Sequence, residues 1–154
     1  MLEERRSEET VARLVEKAGS DGSVMPLLGL AFWRMKHAFE RDVGLSAATW
    51  FLLTMLIEED GISQGEVSHR FEVDPSRITR LAQRLEGEGL LRRKRDPEDN
   101  RVVRLHISSE GRHLIESRQD HREGFEERLR QGFAQEELAE IRRALGVVAR
   151  LMKD

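Results

Sequence analysis

Residues 74–107, DPSRITRLAQRLEGEGLLRRKRDPEDNRVVRLHI, constrain the fold of this chain more than any other stretch. Asp74-Pro75 opens a helix: aspartate accepts from the free N–H groups of a first turn, and proline at the first helical position gives up no hydrogen bond. Ile78, Leu81 and Leu85 recur at helical spacing and leave Arg77, Thr79, Arg80, Gln83 and Arg84 on the other faces. Gly89 is a helix stop. Leu91–Arg95 and Val102–Ile107 then read as strands, with Val103, Leu105 and Ile107 alternating with Arg104 and His106 around an acidic turn from Asp96 to Asn100. A short basic helix followed by an arginine-bearing hairpin can place a helix in one DNA groove and a hairpin tip in the next.

The flanking sequence completes the pattern. Ser63-Gln64-Gly65-Glu66 is a capping box, in which the serine accepts from the N–H three residues on and the glutamate reaches back. It opens a short helix to about Arg70, with Val67 and Phe71 as its buried side. Three or four residues separate that helix from Asp74, which is helix-turn-helix spacing, and the hairpin makes it a winged version. Ser46 caps a helix through Glu59 that turns Trp50, Leu53, Leu56 and Ile57 inward.

Upstream, Val11, Leu14, Val15 and Ala18 outline a short helix over Thr10–Ala18, broken by Gly19–Ser23. Leu28, Ala31, Met35 and Ala38, widened by Phe32 and Phe39, outline a longer one to about Arg41. Downstream, Ser108 caps one long helix through about Gln131, with Leu114, Ile115, Phe125 and Leu129 as its stripe. Leu138, Ile141, Leu145, Val148 and Met152 form a coiled-coil-like seam in the last helix. A small winged-helix core cannot cover these seams, and a second copy of the chain is the simplest cover. The expected fold is therefore mainly α: a winged helix-turn-helix with long N- and C-terminal dimerisation helices and a two-stranded β-wing. It divides at 1–44, 45–108 and 109–154.

The net charge of −3 argues against a nucleic-acid partner only if charge is spread evenly. From Arg77 to Arg104, nine basic residues face five acidic ones, so this segment carries +4 and the remainder −7. Screening beyond roughly 8–10 Å lets a basic face bind phosphates despite an acidic body; a plain solvated charged surface is the other reading. Cysteine is absent, which excludes disulfides, thiolate catalysis, cysteine redox sensing and sulfur-ligated metal. No run approaches the ~20 apolar residues of a membrane span, and the charged N-terminus is unlike a signal peptide, so a cytoplasmic protein is expected.

With these motifs in place, the chain resembles the MarR family of bacterial and archaeal transcription regulators. The resemblance is close over Leu45–Leu114 and extends in layout to the flanking helices. It rests on LSAATWFLLTMLIEEDGISQGEVSHRFEVD and, most specifically, on GLLRRKRDPEDNR followed by LHISSEG, which is similar to the family's strand–DPxDxR–strand–[LI][TS]xxG pattern. Asn100 stands where arginine is common, Ser108 replaces the usual threonine, Ser109 a common proline, and Ser68 a small apolar residue.

The resemblance implies a cytoplasmic, nucleoid-associated prokaryotic regulator. It would act as a homodimer on a palindromic double-stranded DNA operator, most often as a repressor. Ser76, Arg77, Thr79, Arg80 and Arg84 would face the major groove, where arginine can donate twice to guanine and serine or threonine suit phosphates or bases. Arg101 would be the wing-tip residue in the minor groove, with Asp99 holding its guanidinium. Arg93 and Arg95 would add phosphate contacts, and Ser46 and Ser63 would offer hydroxyls or helix N-termini as well as caps. Family members are often released from DNA by small aromatic or other anionic effectors, for which Trp33, His37 and Trp50 are the nearest candidates. Aromatic residues at helical spacing are also ordinary core.

Three rivals share the sequence. A constitutive architectural DNA binder would use the same DNA residues without an effector. A metal-responsive regulator would draw on His37-x-x-Glu40, His113-x-x-Glu116, Asp120 and His121. An enzyme finds no glycine-rich phosphate loop, nucleophile elbow or acid/base pair here, so none is expected. No cofactor or resident metal is implied.

Overall fold

The computed structural model describes residues 2–151, with side chains from residue 8 onward. The described chain runs α1 (Leu2–Asp21), α2 (Met25–Val43), α3 (Ala47–Glu58), α4 (Gln64–Phe71), α5 (Pro75–Gly87), β1 (Leu91–Arg95), β2 (Val103–Ile107), α6 (Ser109–Ser117), α7 (Gln119–Gln131) and α8 (Gln135–Leu151). The strands pair antiparallel, from Leu91 opposite Ile107 to Arg95 opposite Val103. Met152, the end of the expected C-terminal seam, lies outside the described residues.

Local chemistry sets half of the helix starts. Ser46 accepts from the Thr49 N–H at 3.1 Å, Ser63 from Glu66 at 3.1 Å, Asp74 from Ser76 at 2.8 Å and Ser108 from Gly111 at 2.9 Å. Only the serine half of the expected capping box forms, because the Glu66 carboxylate is taken by Arg70. Gly89, at φ +75°, turns the chain out of α5 into the wing, and the Leu90 N–H bonds back to the Leu85 carbonyl at 2.9 Å. Gly111 answers to space: a Cβ there would lie 2.0 Å from the Leu90 carbonyl oxygen, so α6 can seat against the base of the wing only through a glycine.

One core joins α3, α4, α5, the wing base and α6. Leu52, Leu53, Leu56, Val67, Ala82, Leu85 and Leu105 are completely buried, with Ile62, Ile78, Leu91 and Ile115 beside them. Each such leucine contributes on the order of 1.5–3 kcal/mol by burial. Leu52 escaped the periodic reading because α3, AATWFLLTMLIE, is apolar round most of its circumference. Strand β2 is also stitched to the α3–α4 link: the Gly61 N–H donates to the Leu105 carbonyl and the Leu105 N–H to the Ile62 carbonyl, both at 2.9 Å.

Three boundaries differ from the sequence expectation. Helix α1 is much longer than Thr10–Ala18: it starts at Leu2, and Gly19, Ser20 and Asp21 stay helical, so the break falls at Gly22–Val24. Strand β2 begins at Val103, since the Val102 N–H closes the turn onto the Asp99 carbonyl at 2.9 Å. The single helix expected over 109–131 is two, interrupted at Arg118 (φ −105°, ψ 2°). Ile115 enters the winged-helix core, whereas Phe125 packs edge-on against Phe39 of α2 at 5.5 Å. Ten residues of unbroken helix would leave those side chains about 80° apart around the axis; the break resets the phase so that both are buried.

Helices α2 and α8 keep exposed apolar faces. Leu28, Phe32, Trp33 and Met35 stand out from α2, and Leu145, Val147 and Leu151 from α8, none of whose residues is buried.

Candidate nucleic-acid interface

The asparagine-free stretch Pro75–Gly87 presents its polar faces outward because Ile78, Ala82 and Leu85 anchor the opposite one. The cap at Asp74 is held ionised, its carboxyl lowered by hydrogen bonds from the Ser76 side chain and backbone and by the nearby charge of Arg80. Arg77 and Arg80 are exposed, and among the described residues neither guanidinium has a hydrogen bond or ion pair. Thr79 is turned back on its own helix, donating to the Pro75 carbonyl at 3.0 Å. Arg84 is engaged within the chain: its Nη2 donates to Thr49 Oγ1 on α3 at 3.1 Å, and its Nη1 lies 3.6 Å from Glu88.

The wing is braced at both ends. At its tip Asp96 is buried and accepts from the backbone N–H groups of Asp99 at 3.0 Å and Glu98 at 2.8 Å, and from the Arg104 guanidinium. Those donors, the Asp99 N–H foremost, hold its carboxyl below the ordinary range. Arg104 also donates to the Gly61 carbonyl at 3.1 Å. At the base, burial raises the Asp60 carboxyl, but His106 Nδ1 at 2.9 Å and the Ile107 N–H at 2.8 Å outweigh it and leave it lowered.

Asp99 does not hold the Arg101 guanidinium. Its Oδ1 accepts the Arg101 backbone N–H at 2.9 Å, which shapes the turn and leaves the exposed guanidinium without an acceptor among the described residues. Arg95 donates to the Asn100 carbonyl and so ties the tip together. Arg93 is only 23% exposed and is engaged by Glu86 of α5 through both its backbone and its guanidinium. The hydroxyls of Ser46 and Ser63 are occupied as caps. Among the described residues, three of the arginines named in sequence, Arg77, Arg80 and Arg101, have no acceptors. Arg84, Arg93 and Arg95 have acceptors within the chain.

Sequence reading passed over Glu86, Asp96, Arg104, Asp60 and Thr49. The DPED turn was a signal for Asp96, since an aspartate opening a tight turn accepts from the N–H groups that follow. Glu86 pairs seven positions away and Arg104 eight, across the hairpin, while Asp60 and Thr49 meet partners 46 and 35 positions away, and no local pattern announces any of them.

The effector candidates separate. Trp33, 56% exposed on α2, stacks on His37 with centroids 5.9 Å apart, and Lys36 Nζ lies 5.8 Å from its ring centre. Trp50 is 6% exposed and packs edge-on against Phe39 in the core. Among the described residues no three His, Asp or Glu side chains converge as a metal site, and no helix is long and apolar enough to cross a membrane.

Comparison with known proteins agrees with this frame. The sequence model described as MarR family matches residues 45–103. An uncharacterised HTH-type transcriptional regulator of Bacillus subtilis, YdgJ, is 34% identical over 113 residues, which is 73% of this chain and 67% of that protein. The structure of Bordetella bronchiseptica BpsR, described in terms of regulation of its DNA binding by 6-hydroxynicotinic acid, superimposes with a TM-score of 0.76 at 25% identity. It covers 82% of this chain and 93% of its own. The transcriptional repressor CouR, bound to a 23-mer DNA duplex, shares the fold with a TM-score of 0.78 at 23% identity, over 83% of this chain and 93% of its own. A helix-turn-helix with a braced, arginine-tipped wing, a matching family segment and a relative of this similarity lead to one assignment: the chain belongs to the MarR family of DNA-binding transcriptional regulators.

Proposed function

We propose that this regulator is a cytoplasmic homodimeric repressor. It would bind a palindromic operator and be released by a small aromatic anion. The observation that carries the DNA reading is the set of unpaired cations on one rigid frame. Arg77 and Arg80 on α5 and Arg101 at the wing tip have no acceptors among the described residues, while neighbouring arginines lock the wing in place. Unpaired arginines facing solvent suit guanine edges and phosphates, and an exposed arginine on a hairpin tip suits a narrow minor groove. In this reading Ser76 and Thr79 contact phosphate or base beside Arg77 and Arg80. Arg84, half exposed and with donors left over, meets a base edge, whereas Arg93, Arg95 and Asp99 set geometry, with phosphate contact through whatever donors remain. Ser46 and Ser63 present helix N-termini to the backbone.

The exposed apolar faces of α2 and α8 support a second copy as partner, with segments 1–44 and 109–154 forming the dimer and 45–108 the DNA-binding unit. Two-fold symmetry then sets the half-sites about 10 base pairs apart. CouR is described as a repressor bound to DNA, and BpsR as regulated by 6-hydroxynicotinic acid, an aromatic acid. The stacked pair Trp33–His37 with Lys36 over the ring offers an aromatic face and a cation to such a ligand. Trp50 would have to leave Phe39 to join it.

A fluorescence-anisotropy titration with the DNA upstream of the protein's own gene, against a scrambled duplex and over a range of salt, tests this reading. Saturable preference for the upstream duplex with a steep salt dependence is expected, and aromatic acids should release it. Equal weak binding to both duplexes, together with no enriched sequence from a random pool, would remove sequence-specific repression and leave an architectural binder. Preference that no aromatic acid disturbs would remove the effector alone.

A further inference from the structure

A chain of polar contacts runs from α5 back to α2. Arg84 Nη2 donates to Thr49 Oγ1 at 3.1 Å; Thr49 Oγ1 lies 2.8 Å from Ser46 Oγ, which also accepts the Thr49 N–H at 3.1 Å. One residue on, the Ala47 N–H at the start of α3 donates to Glu40 Oε1 of α2 at 3.1 Å, and Glu40 Oε2 meets Lys36 Nζ at 2.8 Å. Arginine only donates, so Thr49 Oγ1 accepts from Arg84 and its own proton is available to Ser46. Thr49 is buried, which makes its hydroxyl a fixed point, whereas Arg84 is half exposed, with a side chain 52% accessible. Glu88 stands 3.6 Å from the other guanidinium nitrogen, so the fork is held from two sides.

From this we infer that Thr49 is a positioning residue for sequence recognition: its hydroxyl fixes the orientation of the Arg84 guanidinium at the DNA face of α5 and ties it, through the cap of α3, to α2. The inference rests on the DNA-binding reading above and goes beyond it, because Thr49 touches no DNA in that reading. The physical reason is preorganisation. A free arginine loses rotamer freedom when it docks on a base edge, and one already held by a buried hydroxyl loses less. Such a device acts on discrimination between sequences. It leaves the phosphate attraction, which depends on charge alone, where it was.

The test uses the full chain and a duplex selected by the wild-type protein from a random-sequence pool, with a scrambled duplex as control. Thr49→Val removes the hydroxyl at nearly constant shape, and Thr49→Ser restores it. For Thr49→Val, affinity for the selected duplex should fall about fivefold or more, a size set by the loss of a well-oriented base contact. Affinity for the scrambled duplex and the salt slope should stay within about twofold of wild type, since the number of phosphate contacts is unchanged. Thr49→Ser should recover discrimination. In an Arg84→Ala background, Thr49→Val should cost nothing further on the selected duplex, because the two residues act as a unit. Equal losses on both duplexes would mark Thr49 as purely structural. Unchanged discrimination, or losses that add in the double variant, would also overturn the inference while leaving sequence-specific binding intact. If the wild-type protein enriches no sequence at all, the sequence-specific reading falls and this inference with it.

Discussion

Glu86 of α5 grips Arg93 of the wing at two points: its Oε1 accepts the Arg93 backbone N–H at 2.8 Å, and its Oε2 lies 3.5 Å from the guanidinium. The backbone bond fixes where β1 leaves the helix, and the ion pair adds a partly screened attraction. Glu86→Ala removes both and should cost about 1 kcal/mol or somewhat more in urea unfolding. Glu86→Gln keeps an acceptor for the N–H and should recover most of that loss, since a half-exposed ion pair is worth little. Equal destabilisation by the two variants would show that the charge, not the backbone bond, holds the wing.

Arg101 has the opposite character, with its backbone fixed by Asp99 and its guanidinium free. Arg101→Ala should weaken operator binding by about 1–3 kcal/mol without altering the melting temperature, because nothing in the fold depends on the side chain. Anisotropy at moderate salt reads the first and calorimetry the second. Unchanged affinity would mean that the wing tip does not enter the groove.

The acid response should depend in part on Asp96. Its carboxyl, ordinarily near 3.8, is lowered by the Asp99 N–H, Arg104 and the Glu98 N–H. A carboxyl lowered by folding stabilises the protein fully above its ordinary value and loses that contribution as pH falls from there through the folded-state value. Glu40, Asp60, Asp74 and Glu110 are lowered in the same direction, so the acid limb is shared. Asp96→Asn should therefore be less stable than wild type at neutral pH, and the two stability curves should converge below about pH 4. A constant offset between the curves at all pH values would contradict this role for the charge.

What could be read in the sequence was whatever is encoded within a few residues. Four helix caps, the Gly89 stop and the wing strands follow from neighbours in the chain, and all appear in the structure. The break at Arg118 has no glycine or proline to mark it, because it reconciles two distant packing partners, the winged-helix core for Ile115 and Phe39 for Phe125. The arginines divide on the same principle. Composition identified a basic segment, but Arg93 answers to Glu86, and Arg84 to Thr49, which lies 35 positions away. Contacts between elements hide which cations are free and which are held, and that division decides how each could meet a groove.

The apolar face of α8 yields the last expectation. Leu145 is 54% exposed, and no residue of that helix is buried against the rest of the described chain. Leu138, Ile141 and Val148 continue the same seam at intermediate exposure. If a second copy covers this seam, Leu145→Asp places an unpaired carboxylate in an apolar contact, a change of several kcal/mol at such a position. The variant should sediment as a monomer at concentrations where the wild type is a dimer, and its far-UV circular dichroism should stay close to wild type because the residue supports nothing within its own chain. Operator affinity should fall with it, since two half-sites would no longer be held by one particle. A variant that still sediments as a dimer would place the interface elsewhere, and the exposed face of α2, with Phe32 and Met35, would then be the surface to mutate.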